Sequence, residues 1–236
     1  MQGEGGTRSI GIIVPSANVV VERAAIRFAA EVPGLELQFT RIPVRGDADP
    51  FVQGYDVDAF LRAAELLADA RPDVLLWAGS MGVLVGAEHD ERLGELIEAE
   101  TGLPFTSSTI ALVRLAERER LERIALVTPY AQAYQDRLVA GFVRLGFDCV
   151  AEEHAGLRDN LSYAGIGEED IVRMALKVSV SRPDAILAWC TNFASTGCVQ
   201  RIEVETGLPF HDATLLGLSD AAQRIFMPAL PVTELQ

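Results

Sequence analysis

The string Glu-Thr-Gly-Leu-Pro-Phe occurs twice, at residues 100–105 and again at 205–210. A second pair, Arg-Pro-Asp-Val-Leu-Leu at 71–76 and Arg-Pro-Asp-Ala-Ile-Leu at 182–187, precedes each copy. Both strings fall at the same point of an apolar pattern that runs through the chain twice. In the first half, strand-like runs at 9–14, 35–42 and 74–77 alternate with helical spacing at 19–31, 57–70 and 89–101. In the second half, strands are predicted at 123–128, 147–152 and 184–189, with helices at 133–146 and 168–181. Alternation of strand and helix calls for mostly parallel sheets covered by helices. Gly34, Gly102 and Gly207 stand where helix stops or turns are expected. The bland reading of the echoes is that they are common helix-to-strand connectors. Their matching positions favour duplication: two like α/β lobes with parallel sheets, facing each other across a cleft. The expected lobes are 1–118 plus 211–236 and 119–210, with the break near 117–123 and a last helix, 212–226, returning to the first lobe.

Ligands in open α/β sheets bind beyond the carboxyl ends of the strands. The loops there are Pro15-Ser-Ala-Asn18, Ala78-Gly-Ser-Met81, Thr128-Pro-Tyr130 and Cys190-Thr-Asn192. They are expected to converge. Cys190 follows the apolar run Ala185-Ile-Leu-Ala-Trp189. A thiol at a strand end, near helix N–H groups, can have its pKa lowered from about 8.5 toward neutrality and exchange protons with a carbon acid. The competing reading is an inert buried cysteine, which suits Cys149, inside a strand, and Cys198, in a helical stretch. Ser80, Tyr130 and Thr191 offer hydroxyls for a carboxylate or enolate, although Ser and Thr also cap helices. Asn18 and Asn160 offer amides, although Asn in loops also makes turns. Trp77, Trp189, Phe193 and Met81 lie near these loops and are read as core.

Other classes are disfavoured. A formal net charge of −14 argues against nucleic-acid or anionic-membrane partners. It leaves an anionic small substrate open, since backbone N–H groups can hold one. No apolar run reaches the roughly 18–20 residues of a membrane span. The amino-terminal residues lack the features of a secretory signal, so a cytoplasmic protein is expected, and Gly3-Glu-Gly-Gly6 reads as a flexible tail. An odd count of three cysteines argues against a disulfide framework. Scattered His89, His154 and His211 argue against a metal site. Gly79-Ser-Met-Gly82 lacks the Walker lysine and the dinucleotide spacing.

At these loops the chain resembles the aspartate/glutamate racemase superfamily, in the branch holding maleate cis–trans isomerases and arylmalonate decarboxylases. The matching pieces are Gly11-Ile-Ile-Val-Pro-Ser-Ala-Asn18, the loop at 78–82, Val127-Thr-Pro-Tyr130, Asp159-Asn160 and Cys190-Thr-Asn192. The resemblance implies an α/β fold of two Rossmann-like lobes with parallel sheets related by a pseudo-two-fold, with the active site in the cleft between them, a small carboxylate substrate there and no cofactor. Racemases and maleate isomerases of this type use two cysteines, one from each lobe. The second matches Cys190. The first falls at Ala78 or its neighbour, where Trp77-Ala-Gly-Ser80 has no thiol, and the internal repeat sets Gly79 opposite Cys190. The arylmalonate decarboxylase type keeps only the second cysteine, and its oxyanion donors match Gly79, Ser80, Tyr130 and Thr191. Asn18 and Asn160 look more like the maleate isomerase pattern.

These features point to a cofactor-independent enzyme acting at the α-carbon of a small carboxylic or dicarboxylic acid. Its catalytic residue would be Cys190, and its binding residues Pro15, Asn18, Gly79, Ser80, Tyr130, Asn160 and Thr191. A decarboxylase-type lyase leads. An isomerase or racemase, and a non-catalytic carboxylate-binding protein, are the alternatives, and homo-oligomerisation is compatible with all three. A cysteine installed at 78 or 79 is expected to create or raise two-thiol racemisation.

Overall fold

The structure, a computed structural model, describes residues 7–44 and 55–226; the glycine-rich segment at 3–6 lies outside them. The first half runs β1 (Arg8–Pro15), α1 (Val21–Glu31), β2 (Leu35–Ile42), α2 (Val57–Ala68), β3 (Val74–Trp77), α3 (Gly82–Val85), α4 (Ala87–Thr101), β4 (Phe105–Ser107) and α5 (Ser108–Glu119). The second runs β5 (Arg123–Tyr130), α6 (Gln132–Arg144), β6 (Asp148–Leu157), α7 (Asn160–Tyr163), α8 (Glu168–Ser179), β7 (Ala185–Ala188), α9 (Val199–Thr206), β8 (Phe210–Asp212) and α10 (Ala213–Phe226). All strand pairs are parallel. The two sheets have the same order, β2-β1-β3-β4 and β6-β5-β7-β8. This is the doubled α/β fold expected from the alternation.

The echoed strings owe their recurrence to the hydrogen bonds they make. Asp73 and Asp184, from the two Arg-Pro-Asp copies, staple the start of the third strand of each sheet to its first strand. Asp73 accepts the Ser9 N–H at 2.8 Å, and Asp184 accepts the Arg123 N–H at 2.8 Å. The arginine before each is left-handed, with φ of 51° at both Arg71 and Arg182. Thr101 and Thr206 donate to the carbonyls of Ile97 and Ile202 at 2.7 Å and accept from Leu103 and Leu208 at 3.2 Å. Gly102 and Gly207 follow in the left-handed region, with φ of 70° and 69°, a conformation that stops a helix at no steric cost to glycine. Glu98 and Glu203 then receive the Phe105 and Phe210 N–H groups that open the next strand.

Apolar residues alternate across the first sheet and fill both faces. Ile10, Ile12, Val14 and Leu76 pack with Val21 and Ala25 of α1 and with Leu218, Ala221 and Ile225 of α10. Ile13, Leu75 and Trp77 pack against Phe60, Ala63 and Leu67 of α2 and Leu93 and Ile97 of α4. The final helix therefore returns to the first sheet. In exchange, Leu112 and Ala116 of α5 join the core of the second sheet. The two crossing helices pack on each other.

Candidate active site

In a parallel sheet every carboxyl end lies on the same side. The loops after β1, β3, β5 and β7 meet there. After β1, Asn18 turns its side-chain oxygen onto the N–H groups of Val20 and Val21, 2.9 Å each, so α1 starts at Val21 rather than at 19. Its side-chain nitrogen crosses to the second lobe and donates to Thr191 Oγ1 at 3.1 Å. Pro15, the last residue of β1, is buried and accepts the Asn18 N–H at 2.9 Å. After β3, Gly79 lies directly over the indole of Trp77. Ser80 follows and reaches the second lobe twice. Its hydroxyl lies 3.2 Å from the Tyr130 hydroxyl, and its carbonyl accepts the Trp189 indole N–H at 3.0 Å.

Cys190 sits just past β7 and is 3% exposed. The Tyr130 hydroxyl and the backbone N–H groups of Asn192 and Phe193 favour its ionised form, and the Phe193 N–H itself donates to the Cys190 carbonyl at 3.1 Å. Asn160, from the short α7, is tied in through Asn192. The Asn192 side chain donates to the Asn160 carbonyl and accepts the Val19 N–H at 2.9 Å. The fold thus brings Asn18, Ser80, Tyr130, Asn160, Cys190 and Thr191 into one linked cluster, with Pro15 and Gly79 on the adjoining strand ends. Asn192 and Trp189 were missed by sequence reasoning, though both bond to the opposite lobe. The signal for Asn192 was its place beside Cys190. The Trp189 contact had none, since an indole at the end of an apolar strand reads as core.

One expectation is corrected. Burial, with the charge of Asp212 nearby, pushes the Cys190 thiol up to about 12, against the pull of Tyr130 and the two N–H groups. Its pKa does not fall toward neutrality, because burial outweighs the groups that favour the thiolate. Burial likewise raises Tyr130 well above the usual phenol range, and Cys190 adds to the shift. In the resting protein both groups are therefore neutral proton donors. Gly79 is closely packed. A Cβ added there would overlap the Trp77 ring, and that ring is fully buried, wedged edge-on by Tyr55 and Phe60. Ala78 does not offer an open position either, since it packs in the core with Val14 and Leu218. A cysteine at 78 or 79 is therefore not a simple addition to this site. Among the described residues no group of three or more His, Cys, Asp or Glu side chains is placed to hold a metal ion.

A family model described as arylmalonate decarboxylase matches residues 10–233. The chain belongs to the arylmalonate decarboxylase family. Within reach of this family it is similar to enzymes of two activities. Maleate isomerase of Nocardia farcinica is 29% identical over 232 residues, covering 94% of this chain and 92% of its own. Arylmalonate decarboxylase of Bordetella bronchiseptica is 24% identical over 229 residues, covering 93% and 91%. A solved cysteine-to-serine variant of the Nocardia maleate cis–trans isomerase, holding a covalently bound succinylcysteine intermediate, superposes with a TM-score of 0.80. It is 25% identical and covers 93% of each chain. Cysteine chemistry on small carboxylates is thus at work in this chain's relatives.

Proposed function

We propose that the protein is a decarboxylase-type lyase in which Cys190 protonates one face of an enediolate. What supports this reading is a buried, neutral thiol after β7 and, at the position the internal repeat matches to it after β3, only a glycine packed against an indole. A malonate-type dianion would lose one carboxylate as carbon dioxide. The electron pair of the broken C–C bond stays on the α-carbon and spreads into the remaining carboxylate as an enediolate. Ser80, Tyr130, Thr191 and nearby N–H groups hold that charge, and donors of this kind are worth about 3–4 kcal/mol each. The Cys190 S–H proton then passes to the α-carbon. The resulting thiolate is met by the Tyr130 hydroxyl and the N–H groups of Asn192 and Phe193, and solvent returns its proton. Pro15, Asn18, Gly79 and Asn160 shape and register the pocket.

A maleate-isomerase-like activity is the second reading. It is favoured by the 29% identity to the Nocardia enzyme and by Asn18 and Asn160. It needs another group in place of the thiol missing at 79. Lobe limits of 1–118 with 211–236 and of 119–210, and a cytoplasmic setting, belong to the same proposal. Among the described residues no helix is long and apolar enough to cross a membrane.

The test is a panel of substituted malonates, maleate and chiral amino acids in deuterium oxide. Release of carbon dioxide from a malonate, with one deuterium entering the product α-carbon in a single configuration, is the expected result. Conversion of maleate to fumarate without decarboxylation of any malonate would establish the second reading instead. No exchange on any member would sink both.

A further inference from the structure

Two fully buried carboxylates, Asp90 and Asp212, have no assigned contact with substrate. Each is paired with a serine hydroxyl, and the two pairs are the same device with its partners exchanged. Asp90 and Ser195 each stand seven residues before the repeated isoleucine, Ile97 or Ile202. Ser107 and Asp212 each stand two residues after the repeated phenylalanine, Phe105 or Phe210. In the first lobe the Ser107 hydroxyl donates to Asp90 and accepts the Ile110 N–H at 3.1 Å. In the second the Ser195 hydroxyl donates to Asp212, which accepts the N–H groups of Thr214 and Leu215 at 2.8 and 2.9 Å. Each pair therefore caps the helix that crosses to the other lobe and ties its start to residues that follow the third strand of its sheet, the first turn of α4 at Asp90 and the loop after β7 at Ser195.

The residues so tied adjoin the loops that form the candidate site. Asp90 also takes the Tyr55 hydroxyl and lies against Gly82, where an added Cβ would overlap the carboxylate. It thus floors the 79–82 loop. In the second lobe, Ser195 ends the stretch that begins at Cys190. The Phe193 N–H returns to the Cys190 carbonyl at 3.1 Å, and the Ser195 N–H to the Phe193 carbonyl at 2.8 Å. Asp212 pairs with Ala188 across β7 and β8, two residues before Cys190, and Thr214 Oγ1 donates to the Thr191 carbonyl at 3.3 Å.

We infer that the Asp212–Ser195 pair positions the Cys190 loop, locking the thiol to the start of α10, and that its reversed copy, Asp90–Ser107, does the same for the 79–82 loop. Asp212 and Ser195 are positioning residues. They act through Cys190, so the inference rests on Cys190 as the proton carrier. A buried carboxylate near the sulfur also favours the neutral thiol, in keeping with that role.

Reversal supplies the test. In the double variant S195D/D212S the hydroxyl introduced at 212 takes over the capping role that Ser107 has in the first lobe, and the carboxylate introduced at 195 receives it. Three proteins are compared with the native one: D212S, S195D and the double variant. The rate of Cys190 alkylation by iodoacetamide, located by peptide mass, and the kcat and KM for a malonate substrate are measured. Each single variant is expected to raise Cys190 alkylation and lower kcat by about tenfold, the worth of one buried hydrogen bond, with KM changed far less. The double variant is expected to return both toward native values. Unchanged alkylation in the singles, or a double variant that does not fold or is no better than the worse single, would overturn the inference. Alkylation that follows this pattern in a protein without malonate turnover would support the positioning role while defeating the proposed reaction.

Discussion

Cys190→Ala is expected to lower malonate turnover by about 10²–10⁴-fold, the contribution of a well-placed general acid, while leaving the fold intact. Alanine fits the space of the thiol, and the loop keeps its ties through Asn192, Ser195 and Thr214. The other two cysteines provide the control. Cys149 is a partly buried residue of β6, and burial pushes its thiol up to about 12. Cys198 is buried beside Glu168, and burial raises it to about 11. Neither bonds to the linked loops after β1, β3 and β5, so Cys149→Ala and Cys198→Ala should retain activity and lose stability at most. Steady-state rates of the three variants, with urea midpoints alongside, check this. A Cys190→Ala protein as active as the native one would end the cysteine hypothesis.

The second large effect lies on the opposite face. A two-thiol route needs an acid or base on each side of the α-carbon, and Gly79 is the position matching Cys190. Gly79→Cys alone is expected to destabilise the protein by about 1–3 kcal/mol, as overpacked cores do, and to give no racemisation. The obstacle is Trp77. The ring is packed edge-on by Phe60, with centroids 4.8 Å apart, and by Tyr55 at 6.3 Å, so it must displace these neighbours to make room. Tyr55 is itself tethered to Asp90. Pairing Gly79→Cys with Trp77→Leu removes the indole and should admit the thiol, at the stability cost of a large-to-small core change. Urea unfolding and loss of optical activity from an enantiopure monoacid are the measurements. A Gly79→Cys protein that is as stable as native and racemises the monoacid would show that the ring yields.

Much of the fold was legible because repeated strings repeat their hydrogen bonds. The aspartates of the two Arg-Pro-Asp copies make the same staple, and the two Glu-Thr-Gly-Leu-Pro-Phe copies make the same helix stop and strand start. The convergence of the loops was legible for a related reason, since parallel strands all end on one side. What escaped depends on contacts that no periodicity records. Trp77 lies two positions before Gly79 in the chain, and only the coordinates show its ring folding back beneath the glycine. The equivalence of Asp90–Ser107 and Ser195–Asp212 is hidden in the sequence, because Asp and Ser exchange places and only the bond between them is kept. The Cys190 pKa followed burial, whereas a strand-end position alone suggests an activated thiolate.

The claim that Cys190 works as a neutral acid is tested most directly by titrating it. The thiolate absorbance of the native protein, less that of Cys190→Ala, isolates this one sulfur. The expected difference spectrum shows no thiolate from about pH 6 to pH 10, well below the value to which burial raises the group. A thiolate step near about pH 7–8, as activated cysteines give, would contradict it and make Cys190 a base or nucleophile.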